Sequence, residues 1–285
     1  MKQLALSLRD GRMLSISMFG DPDGTPVLYA HGVGSSRLEA AIGEEAAASS
    51  SLRIISVDRP GYGLSTPDPH GTFLQFSKDI DEVMNHFEIQ RCSLIGVGCG
   101  GPYAATSTSL LKGRISELHL VGSLGPTEDP ELFRLLDTSL KAPLQTIQEA
   151  PELLRTRWEQ MNMEDKIFQT EFEQLSKEEQ QYVTPFILDK WRFAVQESAH
   201  SAEGFLRDLQ TLMTPWAYHL ENIDTPAYIW AGEEDEIIPL RHAVYLANHI
   251  ARSTLETFPG MGHIATEVLG INTALQQISK NRALS

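Results

Sequence analysis

Cysteine is scarce in this chain of 285 residues: only Cys92 and Cys99 are present. They flank one extended run, too far apart to bridge each other, which excludes a disulfide scaffold and suits a reducing, cytoplasmic setting. Positive charge is also scarce. Lys and Arg number 23 against 38 Asp and Glu, a formal net charge of −15. Such a chain repels phosphate backbones and anionic bilayers, so nucleic acid and membrane are not expected partners. No uninterrupted apolar run approaches the ~18 residues of a membrane span. The opening Met1–Asp10 segment meets charge before any apolar stretch long enough for a signal peptide. Six histidines (His86, His119, His200, His219, His242 and His249) lack ligand spacing, so neither a metal site nor a cofactor is expected.

What is present is a rhythm of short apolar runs and helical stretches. Leu4–Leu8 and Met13–Met18 alternate around Asp10-Gly11, as a hairpin does. Val27–Ala30, Ile54–Val57, Ser93–Val97 and Leu118–Gly122 follow, separated by helical stretches at 38–48, 73–87 and from about 100. The rhythm predicts an α/β fold with a doubly wound, mostly parallel sheet. It stops near Pro126. Residues 127 to about 215 lack a convincing strand and carry amphipathic segments at Leu132–Leu140, Pro151–Met161, Phe168–Leu175, Pro185–Ser198 and Phe205–Leu212. The rhythm resumes at Ala227–Ala231, 243–250 and Leu255–Phe258. The expected organisation is a core over 1–126 and 216–285 with an inserted helical cap over 127–215. Trp158, Phe168, Phe172, Phe186, Trp191 and Phe193 are expected mostly in the cap's own core, a minority lining a pocket.

The most informative absence is chemical. Gly96-Val97-Gly98-Cys99-Gly100-Gly101 follows a buried strand. A strand ending in small-x-nucleophile-x-small is a nucleophile elbow, and Gly98 stands where serine, cysteine or aspartate is needed. The surrounding machinery is present. His31-Gly32-Val33-Gly34 follows the third strand and would supply a backbone N–H, from Val33, to an oxyanion. The second donor would be Cys99 N–H. Asp235 follows the seventh strand and His263 the eighth, in the chain order elbow, acid, histidine. Asp235 would hold one ring nitrogen of His263, leaving the other as a base of near-neutral pKa. His31, Gly32 and Gly34 are candidate substrate contacts, His31 with a structural role as its stronger alternative. Cys99 as a replacement nucleophile has the wrong spacing. Asp58 and Arg59 are expected to brace the loop after the fourth strand.

These blocks resemble the α/β-hydrolase superfamily, in particular small bacterial hydrolases whose elbow ends Ser-x-Gly-Gly-Pro-Tyr-Ala. The matching residues are His31-Gly32, Ser36–Ala40, Asp58-Arg59-Pro60-Gly61-Tyr62-Gly63-Leu64-Ser65, Gly100–Ala104, Gly232…Asp235 and Gly262-His263. The resemblance implies an enzyme related to esterases, lipases, lactonases and C–C hydrolases, with no metal requirement. The departure is Gly98, which removes covalent acyl transfer. A similar elbow glycine occurs in the N-myc downstream-regulated family, regarded as non-enzymatic, which the rest of the chain resembles less.

Three functions follow. In the first, His263–Asp235 acts as a general base on a small to medium, mainly hydrophobic carbonyl substrate without a covalent intermediate, as a lyase, isomerase, cyclase or water-activating hydrolase. The second is a serine esterase whose elbow serine has become glycine. The third is a non-catalytic pocket binder, a pseudohydrolase. The expected partner is a small carbonyl or ester compound, and the expected assembly a monomer or homodimer.

Overall fold

The computed structural model describes residues 2–161 and 173–284; the side chains of residues 161, 217 and 218 are not described. Eight strands form one sheet in the order β1-β2-β4-β3-β5-β6-β7-β8. They are β1 (Lys2–Ser7), β2 (Met13–Gly20), β3 (Thr25–Ala30), β4 (Leu52–Val57), β5 (Cys92–Val97), β6 (Ile115–Val121), β7 (Ala227–Gly232) and β8 (Ser253–Phe258). β1 and β2 form the antiparallel hairpin expected around Gly11, whose φ of +88° suits glycine. β2 runs antiparallel to β4, and every other pairing is parallel.

The central strands are apolar runs because both faces are covered. All six residues of β5 are buried. Alternation sends neighbours to opposite layers. Val27 and Tyr29 of β3 join a cluster with Ile271 and Leu275, whereas Leu28 and Ala30 join one with Phe76, Ile80 and Tyr103. Helices α1 (Glu44–Ser49), α2 (Phe73–His86) and α3 (Gly101–Leu110) connect the first strands.

Between β6 and β7 the described residues hold helices and turns and no strand. They are α4 (Pro130–Leu135), α5 (Thr138–Glu149), α6 (Pro151–Met161), α7 (Pro185–Ser198) and α8 (Glu203–Leu212). The segment expected to run unbroken through Leu132–Leu140 is two helices. Leu136 is extended, and the Asp137 carboxylate accepts from Ser139 N–H to cap the second. Then come α9 (Arg241–His249) and α10 (His263–Leu284), the latter 22 residues long.

The cap aromatics divide. Trp158 is buried and stacks on Phe205, with centroids 4.2 Å apart. Trp191 is half-buried. Phe186 and Phe193 depart from the expected core position and stand 59% and 55% exposed. Leu188, Ala194 and Ser198 take the buried side of α7, while Lys190 and Arg192 lie over the outer Phe186 and Phe193 rings. Phe168 and Phe172 lie outside the described residues.

Candidate active site

Adjacent β7 and β8 end level with each other, Gly232 opposite Phe258. Their following loops are laced together: Glu233 N–H donates to Phe258 C=O and Glu234 N–H to Met261 C=O. This brings Asp235 to His263, the first residue of α10. Asp235 Oδ2 lies 2.8 Å from His263 Nδ1. Its other oxygen, Oδ1, accepts from Ile237 and Ile238 N–H at 3.0 and 2.9 Å, which fixes the carboxylate. The two groups, 28 residues apart, are joined as their order in the chain suggests.

Gly98 follows β5 at φ +52° and begins a 3₁₀ turn leading into α3. That left-handed conformation costs a residue with a Cβ about 1–3 kcal/mol. A Cβ on Gly96, Gly100 or Gly101 would meet neighbouring atoms closer than 3.0 Å, whereas one on Gly98 meets only Glu267 Oε1, at 3.3 Å. The elbow is therefore tightly packed everywhere except at the nucleophile position. Cys99 opens the first turn, where backbone N–H groups lack intrahelical partners. Its side chain belongs to the core, and burial pushes the thiol up to about 12, which disfavours a thiolate nucleophile.

A cavity of about 570 Å³ is lined by Val33, Gly98 and His263 together with Leu140, Trp158 and Phe205. Gly32 and Gly34 also line it. Trp158 packs so closely on Gly34 that a Cβ there would meet its ring at 3.0 Å. Gly32 N–H is already donated to the Glu39 carboxylate at 3.1 Å. His31 does not line the cavity. It is fully buried; its Nε2 accepts from Arg59 N–H and its Nδ1 lies 2.8 Å from Gly32 C=O. As a substrate contact His31 is therefore corrected to a structural residue, whose burial and neighbouring Arg59 lower its pKa.

Arg59, expected to brace its own loop after β4, reaches across to the loop after β3. It donates to the carbonyls of His31 and Gly32 and pairs with buried Asp208 of α8, Nε to Oδ1 at 3.0 Å. Tyr62 and Tyr103 hydroxyls donate to the same carboxylate at 2.9 and 2.7 Å. Arg37 pairs with Asp58 and, at 2.7 Å, with Glu197 of α7. Glu179 accepts from Gly262 N–H, beside His263, and from Ser176 N–H.

Two carboxyls not assigned a role from the sequence join the site. Glu39 is buried and accepts from Tyr29 OH at 2.8 Å. Glu267, one helical turn beyond His263, places Oε1 3.4 Å from His263 Nε2. The His263-x-x-x-Glu267 spacing could have shown it, had α10 been recognised as a helix. Burial opposes a charged imidazole, but Asp235 and Glu267 outweigh it and raise His263 to about 9. Burial, opposed by His263 and reinforced by Glu39 and Asp235, pushes Glu267 up to about 8. The expectation of a near-neutral His263 with a free nitrogen is therefore corrected: near neutrality it is an imidazolium held between two carboxyls. Among the described residues no group of three His, Cys, Asp or Glu is arranged to hold a metal ion.

The alpha/beta hydrolase fold family matches residues 25–268. The chain belongs to this family. A curated relative, the uncharacterized hydrolase YcgS of Bacillus subtilis, is 25% identical over 265 residues, covering 90% of this chain and 89% of that one. Among solved structures, the bromoperoxidase of Bacillus anthracis superposes with a TM-score of 0.74 at 20% identity, covering 98% of this chain and all of that one. The esterase EaEST of Exiguobacterium antarcticum gives 0.72 at 21% identity, covering 98% and 100%. At these identities the structural likenesses establish the alpha/beta hydrolase fold alone. No helix among the described residues is long and apolar enough to cross a membrane.

Proposed function

We propose that this chain is a cytoplasmic alpha/beta hydrolase family enzyme that moves protons on a small to medium, mainly hydrophobic carbonyl compound without a covalent intermediate. The observation that carries this reading is a His263–Asp235 pair, 2.8 Å apart, in a site whose nucleophile position is glycine. Residues 127–215 serve as a cap over a core of 1–126 and 216–285, the cavity lying between them. Backbone N–H groups of Val33 and Cys99 are the candidate donors to an enolate or oxyanion. A lyase, isomerase or cyclase needs only these parts.

The test is deuterium uptake from D₂O, read by mass spectrometry, across a panel of small neutral ketones, esters and lactones. Uptake at neutral pH that falls sharply in His263→Ala, while that variant still binds the responding compound, is expected. Uptake unaffected in His263→Ala sinks the reading, and binding without turnover moves the protein to the pseudohydrolase class. A second reading, a serine esterase that has lost its nucleophile, is favoured by Gly98 being the elbow glycine whose Cβ would meet only a side-chain oxygen, Glu267 Oε1 at 3.3 Å. On that reading Gly98→Ser alone suffices for rapid labelling by a fluorophosphonate.

A further inference from the structure

Glu267 puts a functional group back where the elbow lacks one. Its Oε1 lies 3.4 Å from His263 Nε2, and a Cβ on Gly98 would lie 3.3 Å from the same oxygen. In a hydroxyl-based site the partner of Nε2 is the oxygen carried by that Cβ. Here a carboxyl occupies the corresponding space. It is buried, lines the cavity and extends from the helix that His263 opens.

The other carboxyls of the cluster are committed elsewhere. Asp235 spends one oxygen on two backbone N–H groups and the other on His263 Nδ1. Glu39 holds Tyr29 OH and Gly32 N–H. Among the described residues Glu267 has a single ion-pair partner, His263.

The geometry points to Glu267 as the base of this site, its carboxylate held beside the His263 imidazolium and taking a carbon-bound proton from a neutral substrate over Gly98. This rests on the proton-transfer reading above and names the atom that performs it. The C–H electron pair becomes a π bond within the substrate, and charge gathers on the carbonyl oxygen or the departing atom. Return of the proton from Glu267 to a second substrate atom completes an isomerisation or an elimination. Three carboxyls around one imidazole favour neutral over anionic substrates.

The groups facing Glu267 are His263 on its own helix, Asp235 from the loop after β7, Glu39 from the 3₁₀ turn Arg37–Gly43, Tyr29 of β3 and Cys99 of the elbow. Their balance with burial lifts Glu267 toward neutrality, where a carboxylate is a stronger base yet still ionises.

The probe is 5-nitrobenzisoxazole, a small neutral carbon acid. A base removes its C–H proton, the pair forms a nitrile, the N–O bond breaks and a coloured phenolate leaves. The parent protein is expected to open it with a rate that rises with pH toward about 8. Glu267→Gln loses at least tenfold, and Glu267→Asp keeps part of the rate and a pH limb. His263→Ala moves the limb to higher pH, because the cation favouring the carboxylate is gone. A parent no faster than Glu267→Gln overturns the assignment. If Glu267→Gln does not fold, an unchanged pH limb in both Glu267→Asp and His263→Ala overturns it instead. Opening of this probe without deuteration of any carbonyl compound removes the substrate reading and leaves Glu267 the base. Carbonyl deuteration unaffected by Glu267→Gln does the reverse.

Discussion

The buried charge clusters around Asp208 and around His263 differ in how their charges are matched. Around Asp208 the charges are matched: Arg59 and two tyrosine hydroxyls satisfy one carboxylate, and two further guanidinium hydrogens go to the loop carbonyls of His31 and Gly32. Around His263 they are not: Asp235, Glu267 and Glu39 surround a single imidazole. The first arrangement ties α8 to the loop holding Val33. The second holds a carboxyl that releases its proton near pH 8, within reach of the acid–base chemistry of a neutral solution. Burial is common to both, so burial of charge alone does not mark a reactive site; the mismatch between charges and partners does.

Breaking the matched cluster gives the largest effect. Asp208→Ala leaves the Arg59 guanidinium buried without its partner and is expected to cost about 3–5 kcal/mol of stability, read by denaturant unfolding. A loss below about 1 kcal/mol would mean that the two clusters do not differ in kind.

The unmatched cluster is sharpened by supplying the missing hydroxyl. In Gly98→Ser, Nε2 of His263 still faces Glu267, so acylation by p-nitrophenyl acetate should be slow. Adding Glu267→Gln frees the imidazole and is expected to raise the acylation burst about 10–100-fold, about 1.4–2.7 kcal/mol of barrier. Equal bursts in single and double variants would show that Glu267 does not hold the histidine.

Much of this contrast was absent from the linear sequence. The elbow, the Asp235 loop and the His263 loop were legible because each depends on glycines at sharp turns beside buried parallel strands, a strong local pattern. Arg59 was legible only as a brace of its own loop after β4; neither the β3 loop it holds nor its partner Asp208, 149 residues away, is linked to it by a local pattern. Glu267 escaped because α10 mixes polar and apolar residues without a clean stripe, so the spacing from His263 had no helix to give it meaning. Aromatic content alone does not place Phe186 and Phe193, because adjacent cations allow their rings to remain outside the core. The break at Leu136–Asp137 rests on a capping aspartate inside an apparently continuous amphipathic stretch.

The smallest expected effect is on stability against pH. His263 is raised from 6.5 to about 9, so its contribution is full below about 6.5 and fades as pH climbs through 9. Glu267, raised from 4.5 to about 8, keeps a proton that the unfolded chain releases, and that advantage also fades as pH rises through 8. Both act in one direction, so thermal stability should decline between pH 6 and 9. In Glu267→Gln the decline should be shallower by about 1–2 kcal/mol. An identical slope in the variant would mean that Glu267 ionises as an exposed carboxyl does.

The crowding of the elbow also bears on how this site can change over generations. A Cβ on Gly96, Gly100 or Gly101 would collide with packed neighbours closer than 3.0 Å, whereas at Gly98 only the Glu267 side chain has to shift. A glycine codon ending in a pyrimidine becomes serine, cysteine or aspartate by a single base change. Variation at this turn is thus channelled to the position where those replacements restore a nucleophile. From such a codon each of three covalent chemistries is one mutational step away, with Glu267 as the residue that would have to yield.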